Sequence, residues 1–362
     1  MLIRTTHLIM AAVLVVGQAH AQNFKQVGTI AIPGTPINQY GVLTIDQASG
    51  LGYLADKDNK AVVVFDTKTD KFVSRITGFV GMTRNGDTSG PNGLAVVNSG
   101  RNIYSPAELW VSDGDSTIKV MDIASGKLAT TISTSGKSRA NAMAFSPPAQ
   151  VVIVANSNDD PPFLSLVSVD PKQEHKVVAN IPIPQSAENI ERSAYHAPSG
   201  TFFTVIPVQR VDKTKGLIAQ TDPKSGKLVK LHEIDRCHPH SLSIVSDQTI
   251  FMGCSSAHGA APKPGGDLAI FDIASGKVEA YGVGLGGNGG STFNPKLGHY
   301  YHAASHGALI VVDIKSGKLV EKVPTWNGTR SLGVSLASNR IYMATTAKDG
   351  PCGGCIAAFA PQ

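Results

Sequence analysis

The nonapeptide VMDIASGKL at residues 120–128 returns almost unchanged as IFDIASGKV at residues 270–278. Clear copies are VDIKSGKL at 312–319 and TDPKSGKL at 221–228, and degenerate copies are FDTKTDK at 65–71 and VDPKQEH at 169–175. The leading aspartates of these six copies are separated by 56, 48, 52, 50 and 41 residues. Asp and Ser accept backbone N–H bonds and Gly supplies positive φ, so each copy predicts a hairpin turn between two β-strands.

A second repeated series lies between these turns and supplies two further strands. Its best examples are GLAVVNSGRNIY at 93–104 and SLGVSLASNRIY at 331–342. Seven copies begin with a small residue, at Gly41, Gly93, Ala142, Ser193, Ser241, Gly289 and Ser331. Each unit then contains strands A and B, a longer loop, strand C, the Asp-x-x-Ser-Gly-Lys turn and strand D. This pattern predicts a four-stranded antiparallel sheet.

Seven such sheets within residues 22–362 average about 49 residues each, which is the size of a propeller blade. We therefore predict an all-β fold, a seven-bladed β-propeller that forms one domain over residues 22–362. The seventh blade lacks its own strand D, and the segment FKQVGTIAI at 24–32 is a spare strand. Pairing it with CIAAFA at 355–360 would close the ring and remove an exposed edge.

Residues 1–21 have the pattern of a signal peptide. Arg4 precedes an apolar run at 8–16, and Ala-His-Ala at 19–21 has the form that signal peptidase accepts. The run is too short to cross a hydrocarbon core about 30 Å thick, and no later segment is longer or more apolar. The sequence thus predicts a periplasmic or secreted protein that does not span the membrane.

Composition and charge exclude several classes of protein. With 42% hydrophobic and 16% charged residues, the chain has enough apolar material for a core. The net charge of +5 is not gathered into basic clusters with aromatic platforms, so we expect no nucleic-acid partner. The glycine run GVGLGGNGG at 282–290 enters a strand rather than opening a helix, so we expect no nucleotide cofactor.

The repeats resemble the YVTN-type β-propeller family of exported bacterial proteins, over nearly the whole predicted mature chain. More distantly, the chain is similar to gluconolactonase and senescence-marker propellers and to metal-free muconate-lactonising propellers. The metal-dependent group holds its ion with a first-blade glutamate, and Tyr40 stands in that place here. The metal-free group uses Arg and His around a carboxylated substrate. The resemblance implies a fold and does not choose among these activities.

Seven residues that precede the small strand-A residues are predicted to ring one mouth of the central channel. They are Tyr40, Asn92, Asn141, Arg192, His240, Asn288 and Arg330. A polar rim is expected of any water-filled channel, but two arginines and a histidine indicate an anion site, because Arg pairs bidentately with carboxylate. We assign Arg192 and Arg330 to the carboxylate, the three asparagines and Tyr40 to substrate binding, His240 to general acid/base catalysis and Glu191 to a reserve base.

Histidines of the fifth and sixth blades form a second candidate site. His238 and His240 alternate along an extended segment, so their side chains are expected to share a face. His258 lies in the fifth B–C loop, while His302 and His306 lie at the end of strand B and in the B–C loop of the sixth blade. Neutral imidazole suits Zn, Cu or Ni, so His238, His258, His302 and His306 are candidate ligands of a divalent transition metal. The alternative is that these histidines hydrogen-bond to backbone or water, or that one of them serves as a general acid/base without a metal.

The four cysteines are predicted to form two structural disulfides in an oxidising compartment. Cys237 precedes the fifth strand A and Cys254 ends its strand B, so the hairpin places them opposite one another. Cys352 and Cys355 would staple a loop of the last blade.

Two functions follow as hypotheses. The first is an exported propeller that binds a small anionic organic molecule at the mouth of its channel, as a lactonase or lyase. The alternative is a non-catalytic recognition or scaffold protein with an envelope partner.

Overall fold

The computed structural model describes residues 23–98, 107–170, 175–235, 237–255 and 266–362. The described residues form thirty strands and one 3-10 turn at Gly86–Thr88. Strand β1 (Phe24–Ala31) belongs to the last blade. Blade 1 contains β2 (Tyr40–Ile45), β3 (Leu51–Asp56), β4 (Ala61–Asp66) and β5 (Lys71–Thr77). Blade 2 contains β6 (Leu94–Val97), β7 (Glu108–Ser112), β8 (Thr117–Asp122) and β9 (Leu128–Ser133).

The next two blades repeat this order. Blade 3 contains β10 (Ala140–Ser146), β11 (Val151–Asn156), β12 (Phe163–Ser168) and β13 (Val177–Pro182). A two-stranded pair, β14 (Ser186–Glu188) with β17 (Val208–Gln209), flanks blade 4. Blade 4 contains β15 (Ser193–His196), β16 (Thr201–Ile206), β18 (Lys215–Asp222) and β19 (Lys227–Asp235).

The last three blades complete the ring. Blade 5 contains β20 (His238–Ser246), β21 (Thr249–Ser255), β22 (Asp267–Asp272) and β23 (Val278–Val283). Blade 6 contains β24 (Ser291–Asn294), β25 (His299–Ala304), β26 (His306–Asp313) and β27 (Lys318–Asn327). Blade 7 contains β28 (Leu332–Ser335), β29 (Arg340–Ala344), β30 (Cys355–Pro361) and β1. The seven-bladed architecture is confirmed.

Ring closure by the two ends of the chain is also confirmed. Strand β1 pairs antiparallel with β30, from Phe24 opposite Pro361 to Ala31 opposite Cys355. Phe24 and Ile30 are buried, each in a different core cluster. The predicted signal peptide lies outside the described residues. None of the described segments is a helix long and apolar enough to cross a membrane.

The hydrophobic core lies between neighbouring blades rather than at the centre of the ring. Strands B and C are covered on both faces, so they are continuous apolar runs, such as VVIVA at 151–155 and ALIVV at 308–312. Strands D face solvent on one side and are largely exposed, as in LATTIS at 128–133. Because each blade packs against the next, the ring holds the seven strand-A starts together around the central channel.

Candidate functional site

A cavity of about 350 Å³ opens at the mouth of the channel, and all seven predicted ring residues line it. Strand A of each blade starts here, beside the D–A connections and the B–C loops. Close backbone contacts hold adjacent blades in place, since the Val42 N–H donates to the Asn92 carbonyl at 2.8 Å. A Cβ at Gly41 would lie 2.1 Å from that carbonyl oxygen, and one at Gly93 would lie 2.2 Å from the Asn141 oxygen. The small residue at these strand starts is therefore required by packing around the axis.

Three of the ring residues use their polar groups to hold the fold. The Tyr40 hydroxyl donates toward the Gly328 and Ala344 carbonyls, at 2.9 and 3.0 Å, and burial raises the pKa of Tyr40 to about 12. The amide of Asn92 donates to two backbone carbonyls, at 2.8 and 3.1 Å. The amide of Asn141 donates to the Ser157 hydroxyl at 3.1 Å. These side chains line the cavity but are already engaged, whereas Asn288 is exposed there.

The two ring arginines are cations without carboxylate partners among the described residues. The guanidinium of Arg330 lies over the Tyr40 ring at 5.4 Å and donates to the Gln39 side chain at 3.2 Å. The Arg192 side chain makes no hydrogen bond or ion pair with the described part of the chain. Burial and the charge of Arg330 lower the pKa of Arg192, and Glu191 opposes them, but a guanidinium remains charged.

Arg192 also forms the floor of the mouth cavity. It lines both this cavity and a second one of about 250 Å³, which is bordered by the lower halves of strands A such as Leu43, Thr292 and Val334. A Cβ added to Gly290 in blade 6 would lie 3.7 Å from Nη2 of Arg192. The side chain thus reaches from blade 4 across the channel, and its donors are available to a ligand in the mouth cavity.

The cavity is also lined by two cations that were not predicted from the sequence. Lys57 lies in the B–C loop of blade 1, and Arg139 lies in the connection that enters blade 3. The Arg139 guanidinium donates to the Gly86 carbonyl at 2.8 Å, and its buried Nε has no partner among the described residues. Both lie in segments that a propeller presents at the ligand face, namely a B–C loop and a D–A connection. Their position therefore pointed to this face, although neither belongs to a repeated motif.

Glu191 and His240 form the one acid/base pair among the described residues that line the cavity. His240 Nδ1 lies 3.9 Å from Glu191 Oε1, beyond hydrogen-bonding distance, and His240 Nε2 lies 3.0 Å from the Ser255 hydroxyl. Burial alone would raise the pKa of Glu191, but interaction with His240 and the charges of Arg192 and Arg139 lower it. The carboxylate is ionised at neutral pH and faces a histidine whose Nδ1 has no hydrogen-bond partner.

The histidine sector is not assembled into a metal site by the residues that are described. Within those residues, no group of three His, Cys, Asp or Glu side chains could hold a metal ion. His238 is buried with Nε2 2.9 Å from the Lys213 carbonyl. Unlike His240 it does not line the cavity, and the register of β20 shifts between Pro239 and Ser241. His306 begins β26 rather than lying in a loop, and its side chain is exposed. His258 lies outside the described residues, so the metal site stays a prediction.

His302 is buried between blades 5 and 6, behind the wall of the mouth cavity. A Cβ at Gly253 would lie 2.3 Å from its ring. Burial lowers the pKa of His302 to about 3, so its imidazole is neutral. It does not line the cavity.

The Cys237–Cys254 disulfide is confirmed, with Cα atoms 5.1 Å apart. It joins the entry of β20 to the end of β21 next to His240. Cys352 and Cys355 face each other with Cα atoms 5.8 Å apart, and their pairing stays a prediction.

The fold and the cavity together define a β-propeller whose channel mouth is lined by cations that form no ion pair with the described residues. Among solved structures, the chain is similar to the hydrazine synthase of Kuenenia stuttgartiensis, with a TM-score of 0.70 and 16% sequence identity. The match covers 88% of this chain and 96% of that one, and at this identity it supports the fold alone. No protein-family model and no curated protein matches the sequence.

Proposed function

We propose that this protein binds a small organic anion in the mouth cavity and acts on it as a lactonase or lyase. The observation that carries the proposal is the charge of the cavity. Lys57, Arg139, Arg192 and Arg330 line it, and Glu191 is the only carboxylate among the described lining residues. None of the four cations is ion-paired to a described residue. Cations gathered in a partly shielded pocket favour a bound anion, because the lower effective dielectric strengthens each contact.

The roles follow from position. Arg192 holds the anionic group from the channel floor, and Arg330, Arg139 and Lys57 contact it from the rim. Glu191 and His240 stand on one side of the cavity and transfer a proton to or from the ligand, which both lactone hydrolysis and elimination require. Asn288 supplies an exposed amide for orientation.

Export and family membership are parts of the same proposal. The N-terminal pattern at residues 1–21 and the Cys237–Cys254 bridge support folding in the periplasm or outside the cell. Four clear copies of the Asp-x-x-Ser-Gly-Lys turn and two degenerate ones support a place among YVTN-type propellers.

The binding experiment is a calorimetric titration of the purified chain 22–362 with lactate, succinate, citrate and inorganic phosphate. We expect at least one organic anion to bind with one site per chain, and affinity to fall with added salt. A neutral sugar serves as the control ligand. If none of the anions binds better than the sugar, the proposal fails and recognition of an envelope protein becomes the better hypothesis.

The catalytic part is tested with a panel of small lactones of hydroxy acids, followed by proton release. His240→Gln removes the imidazole but keeps a polar side chain of similar size. We expect this variant to lose turnover while it still binds the product acid. Full activity in His240→Gln would contradict the acid/base assignment and leave the anion site intact.

A further inference from the structure

Lys57 presents an amine to the mouth cavity from a fixed point on the backbone. It directly follows Asp56, the last residue of β3, and its N–H donates to the Gln39 carbonyl at 3.1 Å. Its own carbonyl accepts the Lys60 N–H at 3.3 Å, which closes the loop around it. Lys57 lines the cavity, and a short turn rather than a long loop holds its backbone there.

The Lys57 amine has no partner among the described residues. Neighbouring Asp58 is occupied instead by the backbone N–H groups of Asn38 and Gln39, at 2.7 and 2.6 Å. Other half-buried lysines in the described chain differ in this respect. Lys119 is paired with Asp113, and Lys215 lies 2.8 Å from Glu233.

The surroundings of Lys57 favour the neutral, nucleophilic amine. Burial, helped by the charges of Arg139 and Arg330, lowers the pKa of Lys57 to about 8, and the charges of Glu191 and Asp58 oppose this shift only in part. At pH 7 roughly one amine in ten is then unprotonated, against fewer than about one in a thousand for an ordinary lysine. Desolvation beside other cations is a known way of activating lysine as a nucleophile.

We infer that Lys57 forms an imine with a small 2-oxo acid, or with an acid that carries an aldehyde, whose carboxylate is held by the arginines of the cavity. This inference rests on the proposed anion site and names the substrate class for it. The amine nitrogen bonds to the carbonyl carbon, and the carbonyl oxygen leaves as water with two hydrogens from the ammonium group. A protonated C=N bond remains. Glu191 is the carboxylate of the cavity near enough to influence the charge of Lys57, and it acts as the proton acceptor when the amine deprotonates.

The experiment traps the imine on the whole protein. The chain 22–362 is incubated with saturating pyruvate and sodium cyanoborohydride, which reduces C=N to a stable secondary amine. Intact-mass measurement and peptide mapping then locate the adduct. We expect one adduct per chain, on Lys57, and excess lactate should suppress it, because lactate has the same charge and size but no carbonyl group.

Matched substitutions distinguish imine formation by Lys57 from the effect of its positive charge. Lys57→Arg keeps the positive charge but cannot form an imine, so the adduct should be lost. Lys127→Arg, at an exposed turn on the opposite face, should keep the full yield. Adducts spread over many lysines, or a yield unchanged by Lys57→Arg, would overturn the inference, and the lactate competition needs no variant to fold.

Lactate binding measured by calorimetry distinguishes the two proposals. If lactate binds and pyruvate leaves no adduct on Lys57, the imine is wrong and the anion site stands, with Lys57 supplying charge only. If an adduct forms on Lys57 but no organic anion suppresses it or binds, the anion proposal fails.

Discussion

The two faces of the ring are built from the same blades but have opposite chemistry. On the face away from the cavity, the C–D turns repeat the same hydrogen-bond pattern. The Asp122 carboxylate accepts the Ser125 N–H at 2.7 Å and its hydroxyl at 2.6 Å, and Asp272 does the same with Ser275 at 2.7 and 2.6 Å. Gly126 follows with φ of 67°, a conformation that glycine adopts without strain.

At the mouth, equivalent positions carry different residues in different blades. The side chains of Tyr40 and Asn92 donate hydrogen bonds to the backbone, whereas the Arg192 side chain has no partner in the described chain. Side chains that complete their hydrogen bonds locally stabilise the fold. Side chains held half-buried with donors unused lower stability, and a ligand would offset that loss. The comparison therefore assigns the repeated face to folding and the varied face to function.

Removing strand β1, which closes the ring, should have the largest effect on stability. Deleting residues 24–31 strips β1 from β30 and uncovers the cores that Phe24 and Ile30 fill. Two such side chains contribute about 3–6 kcal/mol, a large part of the 5–15 kcal/mol of a typical domain. We expect aggregation or unfolding of the truncated chain by thermal melting and gel filtration. Val27→Ala, on the same strand but 42% exposed, is the control. An unchanged melting temperature after the deletion would disprove closure.

Removing a cation should damage only the mouth. Arg192→Leu should weaken binding of an organic anion by about 10- to 100-fold, the worth of a charged hydrogen bond of about 1.5–3 kcal/mol. Stability should not fall, because the variant relieves an unpaired, partly desolvated charge. Lys127→Met makes the same charge change on the opposite face and should bind normally. Calorimetry measures the anion affinity of both variants. Equal losses of affinity would show that net charge, rather than a specific site, determines binding.

These differences explain what the sequence could and could not predict. The Asp-x-x-Ser-Gly-Lys turns were predictable because their hydrogen bonds lie within a few residues. The ring from Tyr40 to Arg330 was predictable because its members share a position next to a small residue that the packed axis requires. Lys57 and Arg139 come from single loops without a repeat, and only the assembled ring shows that they meet.

The histidines show how tertiary structure overrides a local pattern. Simple alternation predicts that His238 and His240 share a face, but the bulge near Pro239 sends them to different surroundings. His302 lies on strand B, which is buried on both faces, so its ring packs between blades. Strand register and blade packing decide these outcomes, and neither can be read from the spacing of histidines.

Breaking one turn should test the repeated face alone. Asp122→Ala removes two hydrogen bonds of a solvent-exposed turn, so we expect a loss of about 0.5–1 kcal/mol in the free energy of unfolding. Urea denaturation measures it, with Asp122→Asn as the variant that keeps an acceptor. Anion affinity should stay unchanged. A clear loss of affinity in Asp122→Ala would show that the two faces are coupled through the blade.

A further expected effect is the pH dependence of anion binding, and it depends on Lys57. Because the pKa of Lys57 in the free protein is about 8, raising the pH from 7 to 9 removes most of one positive charge from the cavity. Lactate stays ionised throughout, so its affinity should fall with rising pH by about three- to tenfold, the effect of one partly shielded charge.

Bound anion favours the protonated amine, so the midpoint of this fall should shift upward as lactate saturates the site. The charged groups that act on Lys57 are Arg139, Arg330, Glu191 and Asp58. In Lys57→Arg the charge no longer titrates, so the profile should be flat between pH 7 and 9. If the affinity of Lys57→Arg for lactate falls by the same amount, another group is responsible for the titration. Lys57 is then not one of the cations that make the mouth differ from the opposite face.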